Sequence, residues 1–139
     1  MPEDIIEYRS GYKYQLAKDY PITTNIKPDK DIDEKFIKMD VNGNLKILEG
    51  YAWDGPSGPV VDTKENMRAS LVHDALYQLM RQRHLLVKKW KDKADLLFKK
   101  ICIADGVPPQ TAQIYYLGLK IGGKPSTDPK NQKKIHKAP

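Results

Sequence analysis

One cysteine and three histidines stand among 139 residues. A lone Cys102 excludes an intrachain disulfide. A chain this long needs none, since it can bury roughly two-thirds of the surface its unfolded form exposes. Cys102 lies in the apolar run Ile101-Cys102-Ile103 and reads as a buried, inert thiol. A reducing compartment is therefore permitted. No run of about 18 apolar residues occurs, so no helical membrane span is expected. The opening MPEDIIEYRS is acidic and lacks the basic-then-apolar layout of a signal peptide, so secretion by that route is not expected. The sequence contains no internal repeats, and its length fits one domain.

Charge is present in quantity but unevenly placed. Residues 1–60 carry 8 basic and 11 acidic side chains, and residues 61–139 carry 16 and 7. The basic excess sits in Arg81, Arg83, Lys88, Lys89, Lys91 and Lys93 and in the stretch from Lys120 to Lys137. Such a surface attracts nucleic acid, anionic lipid or an acidic partner. The plainer reading is a solvated helix face followed by a disordered tail, because no aromatic is interleaved in the tail and no nucleic-acid-binding motif is present.

The apolar pattern divides the chain into strands, then helices. Residues 12–24 are rich in Tyr, Thr and Ile and read as extended, with Pro21 marking an edge or a break. Residues 25–35 are polar and read as a loop. Ile37, Met39 and Val41 alternate with Phe36, Lys38 and Asp40 ahead of Asn42-Gly43, predicting a β-hairpin with strands near 36–41 and 45–53. Two glycines and two prolines make 54–63 a rigid loop. Asp62 or Thr63 then caps a helix over about 65–82, whose stripe of Met67, Leu71, Ala75 and Leu79 is flanked by Val72, Leu76 and Met80. A second helix is expected over 87–104, closed by Asp105-Gly106, and a third from Pro108-Pro109 to about Gly122. The fold class is α+β: a small antiparallel sheet with a β-hairpin, followed by three helices packed on it. Residues 1–122 would form this domain and 123–139 a basic, disordered tail.

Candidate chemistry gathers on the buried helices. A charged carboxylate on a buried helix is costly unless it is paired, so His73, Asp74 and Asp95 each need a partner. Asp54 and Ser57 lie in the rigid loop. One imidazole with two or three carboxylates suits a divalent Zn, Mn or Mg ion that activates water for hydrolysis. Asp54, His73 and Asp95 would be its ligands, with Asp74 as general base or as the group orienting His73. The plain alternative is an internal polar network tying loop to helices. A nucleophilic arrangement is weaker, with Ser57 attacking, His73 as base and Asp95 or Asp54 orienting it, because GPSGP is not the G-x-S-x-G elbow. An HD-type phosphohydrolase would need a histidine ahead of His73-Asp74, and His73 is the first in the chain. Trp53 and Trp90 read as core or core-edge aromatics, and His84 as a surface residue.

The motifs also occur in a recognisable order: Gly50-Tyr51-Ala52-Trp53-Asp54-Gly55-Pro56-Ser57-Gly58-Pro59, His73-Asp74-Ala75-Leu76-Tyr77, Ala94-Asp95-Leu96-Leu97-Phe98, Gly106-Val107, then Tyr115 and Gly122. This order resembles the phage and prophage family termed domain of unknown function 1353, over roughly half the chain. The resemblance lands on Asp54, Ser57, His73, Asp74, Tyr77 and Asp95. Trp53 and Pro56 depart from the family's usual threonine and alanine. The resemblance implies a phage-encoded accessory protein in the host cytoplasm or the virion, with phage structural proteins or a host factor as partners. It brings no settled activity. The expectation is therefore either a metal-assisted hydrolase or a non-enzymatic component whose His/Asp cluster is a structural clamp. Nucleic acid, bound through the basic second half at Lys88, Lys89 and Lys91, is a third partner class.

Overall fold

The computed structural model describes residues 5–9, 14–55, 62–122 and 127. Ser57 and the tail expected to be disordered lie outside the described residues, Thr127 excepted. Among the described residues seven short strands precede three helices: β1 (Tyr8–Arg9), β2 (Tyr14–Leu16), β3 (Tyr20–Thr23), β4 (Ile32–Asp33), β5 (Ile37–Met39), β6 (Asn44–Ile47), β7 (Ala52–Trp53), α1 (Lys64–Arg81), α2 (Val87–Ala104) and α3 (Pro109–Gly122). The architecture is α+β, with two small antiparallel sheets where the sequence suggested one. Their strand orders are β1-β2-β7 and β3-β6-β5-β4.

The expected hairpin forms between β5 and β6, with Ile37 opposite Ile47 and Met39 opposite Leu45. All four are buried, so this face of the sheet joins the core. Asp40 organises the turn. Its Oδ1 accepts the backbone N–H groups of Asn42 (2.9 Å) and Asn44 (3.0 Å), and its Oδ2 accepts from the Asn44 amide (3.0 Å). The Asn44 side chain and then its backbone N–H hold the Asp40 carboxyl below its ordinary range. Gly43 adopts φ +87°, and a Cβ there would lie 2.3 Å from the Thr24 carbonyl oxygen. The turn is thus pinned against the chain leaving β3.

The expected strand 45–53 is two strands in two sheets. β6 ends at Ile47, and Tyr51 N–H donates to the Leu48 carbonyl (3.1 Å) across a turn in which Gly50 takes φ +96°. β7 then pairs with β2, placing Trp53 opposite Tyr14. Pro21 sits in β3, an edge strand as its missing N–H requires. The segment read as a loop over 25–35 contains β4, which pairs with β5 through Ile32 and Asp33.

α1 is the centre of the molecule. Thirteen of its 18 residues are buried, against six in α2 and three in α3, so its buried polar side chains cannot reach water and must find partners inside. It begins at Thr63, whose N–H donates to Asn66 Oδ1 (3.0 Å). It ends in a Schellman motif: Arg83 N–H donates to Met80 O (3.0 Å) and His84 N–H to Leu79 O (2.9 Å). Arg83 takes the left-handed position at φ +66° normally given to glycine. α2 ends the same way with the expected Gly106, whose successor Val107 donates to Cys102 O (2.9 Å) and is itself buried. Leu16, Ile26, Ile37, Leu45 and Ile47 from the sheets meet Leu71, Leu76, Leu79 and Met80 of α1 in one core. Trp90, Ala94, Phe98 and Cys102 extend it onto α2. The Cys102 thiol is fully buried, and burial pushes its pKa up to about 12, as expected of an inert group.

Candidate functional site

Four buried polar residues of α1 each have a partner. Asn66 holds the helix start, as above. Ser70 Oγ accepts from the Trp53 indole N–H (2.9 Å) and donates to the Met67 carbonyl (2.8 Å), tying α1 to β7. Arg68 donates through Nε and Nη2 to both oxygens of Asp105 (2.9 and 2.7 Å) and through Nη1 to the Tyr20 hydroxyl (2.9 Å). One guanidinium therefore joins α1, β3 and the end of α2. His73 is the fourth tether and the one that reaches the middle of α2.

His73 Nε2 lies 2.7 Å from Asp95 Oδ1, and the Tyr77 hydroxyl donates to the same oxygen at 2.5 Å. Lys91, one turn before Asp95, donates to Oδ2 (2.8 Å) and to the Leu119 carbonyl near the end of α3 (3.0 Å). The cluster thus spans all three helices. Asp95 is 0% exposed and His73 3%. An ionised carboxylate only accepts, so the shared hydrogen belongs to His73 Nε2. Phe98 packs edge-on to the imidazole at 5.3 Å, and Tyr77 lies tilted at 4.0 Å. Asp95 and Lys91 carry opposite charges, and the neutral His73 and Tyr77 complete the carboxylate's hydrogen bonding. Each group has what burial demands of it.

The protonation states follow. Burial pushes the Asp95 carboxyl upward, but hydrogen bonds from His73, Lys91 and Tyr77 outweigh it and hold the group below its ordinary range. Burial lowers His73 below its ordinary value, and the Asp95 bond only partly offsets this. Burial, then the bond to Asp95, raises the Tyr77 phenol. Below an imidazole's ordinary value of about 6.5 the unfolded chain takes up a proton more readily than the folded one, so stability falls with pH there. Asp95 contributes stability above the ordinary carboxylate value of about 3.9, and this is lost as pH falls toward its depressed folded value. Denaturant midpoints should be level between about pH 7 and pH 8, fall below about pH 6.5 and fall again below about pH 4. In His73→Gln the upper decline should shrink.

The sequence-predicted site residues are only partly united. His73 and Asp95 meet. Asp54 does not join them: it is exposed at the end of β7, and the charges acting on the buried Tyr51 hydroxyl are those of Asp74, Arg81 and Asp54. Asp74 is half-buried and makes no contact with His73, its chain neighbour, that would orient the ring. Of the three expected ligands, the structure brings together His73 and Asp95. Among the described residues no group of three His, Cys, Asp or Glu side chains is disposed to hold a metal ion. The donor set does not fit one either, because the Lys91 ammonium already occupies the cation position beside Asp95. The roles expected of Asp74 as base and Ser57 as nucleophile gain no geometry, Ser57 lying outside the described residues.

Lys91, Tyr77 and Arg68 were underread. Lys91 was placed on the basic face, yet its i,i+4 spacing to Asp95 on a buried helix face signalled a pair. Arg68 extends the Val72-Leu76-Met80 row by one turn and so faces inward. His84 is exposed as expected, with Nε2 2.6 Å from Glu34 Oε1. No helix among the described residues is long and apolar enough to cross a membrane. Neither a family model, nor a curated protein, nor a solved structure matches the chain.

Proposed function

We propose that the chain is a non-enzymatic accessory protein of phage type, a virion component or a host-factor-binding protein, whose His/Asp cluster clamps its helices together. The observation that carries this reading is the saturation of Asp95: both oxygens accept hydrogen bonds from side chains that belong to the same packed interior, at no exposure to solvent. A hydrolytic site needs a position where water and substrate can meet the carboxylate, and here that position is filled by Lys91 and Tyr77. The order of motifs from Gly50 to Gly122 supports the phage setting, in the host cytoplasm or the virion. A clamp serves such a protein by keeping α3 rigid. α3 turns Ile114, Leu117 and Ile121 outward at 62%, 46% and 84% exposure, at the i, i+3, i+7 spacing of one helix face.

The alternative is a metal-assisted hydrolase, and elemental analysis separates the two. Purified protein should hold no stoichiometric Zn, Mn or Mg, and chelator should leave its thermal midpoint unchanged. His73→Ala should lower that midpoint. A stoichiometric metal whose removal destabilises the fold would overturn the proposal, as would a hydrolytic activity lost in a stably folded His73→Ala variant.

A further inference from the structure

The flank of α2 turned away from the clamp bounds a cavity of about 260 Å³ against the end of β3. Its lining includes Thr23 and Asn25 from the β3 end and Lys93, Leu96, Leu97 and Lys100 from α2, with Thr24 between the first two and no acidic residue. Lys93 and Lys100 are seven residues apart, two helical turns on one face, a rise of about 10.5 Å. Among the described residues neither lysine has an ion-pair partner. Lys93 is steadied instead by the Trp90 ring, 5.1 Å from its Nζ. Leu96 and Leu97 form an apolar wall between the two cations. The opposite wall is fixed: the Thr23 hydroxyl donates to Asn44 (2.9 Å), and Thr24, itself buried, donates to the Gly43 carbonyl (3.0 Å). Asn25 is exposed at the rim, where its carboxamide can donate.

A second hollow differs. It encloses about 480 Å³ beside β3, but its lysine, Lys18, pairs with Glu7 at 3.8 Å, and Asp19 also lines it. Of these two hollows, the α2 groove is the one that concentrates positive charge without a counter-ion. Two cations facing one concavity favour a polyvalent anion placed between them. The apolar wall favours an anion that carries a compact, flat body. The volume sits just under the roughly 300 Å³ at which pockets for larger organic ligands begin, so one small unit fits.

We propose that this groove binds a nucleotide, its phosphate between Lys93 and Lys100 and its base or sugar against Leu96-Leu97. The inference is independent of the clamp and uses none of its residues. The phosphate ester could come from a free mononucleotide or from one unit of a strand, and the test distinguishes them. Isothermal titration with adenosine monophosphate and with inorganic phosphate, and anisotropy with a short labelled oligodeoxythymidylate, are run at low and raised salt. At least one nucleotide probe should bind better than inorganic phosphate, and binding should weaken as salt rises. Lys93→Gln and Lys100→Gln should each weaken it about tenfold, the loss expected for one charge-assisted hydrogen bond, with unchanged thermal midpoints. Lys64→Gln, an exposed lysine outside the lining, should change it little. Tighter binding of the monophosphate assigns a free nucleotide, and tighter binding of the oligomer assigns a strand. Absence of binding to every probe at low salt overturns the proposal, as do inorganic phosphate binding as tightly as the nucleotides and a double Lys93→Gln/Lys100→Gln variant that binds like the wild type.

Discussion

Asp95→Ala should lower the free energy of unfolding by about 3–5 kcal/mol, the loss typical of breaking a buried ion pair from one side. The reason lies in what remains. Without the carboxylate, the Lys91 ammonium, 14% exposed, keeps the Leu119 carbonyl but loses its counter-ion, while the His73 Nε2–H and the Tyr77 hydroxyl point at a void within α1–α2 packing. Leaving buried donors unmet costs more than the net worth of the bonds they made. Because a domain of this kind has only about 5–15 kcal/mol in total, the variant should be close to its folding threshold. Guanidinium denaturation followed by the fluorescence of Trp53 on β7 and Trp90 on α2, both buried, measures it. A triple Asp95→Leu/His73→Leu/Lys91→Leu variant should lose less than Asp95→Ala alone, since it leaves no unpaired charge and only the Tyr77 hydroxyl unmet. A loss below about 1 kcal/mol for Asp95→Ala would place the cluster among ordinary surface pairs and contradict the account.

The second large effect is expected at Arg68. Arg68→Met keeps the apolar stem and removes the guanidinium, leaving Asp105 and the Tyr20 hydroxyl without it. Tyr20 is 1% exposed, so water does not replace the donor that its hydroxyl loses. The Asp105 side chain is 17% exposed and can partly rehydrate. The expected cost is therefore about 2–3 kcal/mol, below that at Asp95. Arg68→Met/Asp105→Asn should recover part of it, because the orphaned charge is gone, and the coupling in that double-mutant cycle measures the pair. Full additivity of the two losses would show that the bidentate bond contributes nothing.

How much of this was legible in the chain depends on whether the signal was local. α2 was read at its observed bounds because Trp90, Ala94, Leu97 and Ile101 repeat at helical spacing and Asp105-Gly106 closes them. The start of α1 was placed within a residue by Thr63 and the polar first turn. The division of 45–53 into β6 and β7 was not legible. A run of alternating residues through Leu48-Glu49-Gly50 looks continuous until the pairing of β7 with β2 shows that Gly50 turns the chain between sheets. β4 was missed because a two-residue strand carrying one inward Ile32 between two aspartates has no period to detect.

At the site, burial logic reached His73 and Asp95 because a carboxylate among apolar neighbours demands a partner. It could not name that partner. Asp54 was added by its place in a rigid loop and by the resemblance, and the structure turns it to solvent. Lys91 was set aside by its charge, although a lysine one turn from a buried aspartate is the simplest partner on the same helix. The lesson is specific: on a helix buried nearly all round, polar residues identify tethers before they identify chemistry.

The central claim is that His73 is a neutral, sealed donor to Asp95. Nitrogen-detected NMR of the ¹⁵N-labelled imidazole tests it most directly. The account predicts the Nε2–H tautomer, no protonation on descending through about pH 6.5, and no change on adding Zn²⁺ or Mn²⁺. A His73 that titrates at or above that value, or whose ring nitrogens shift on binding metal, would contradict it.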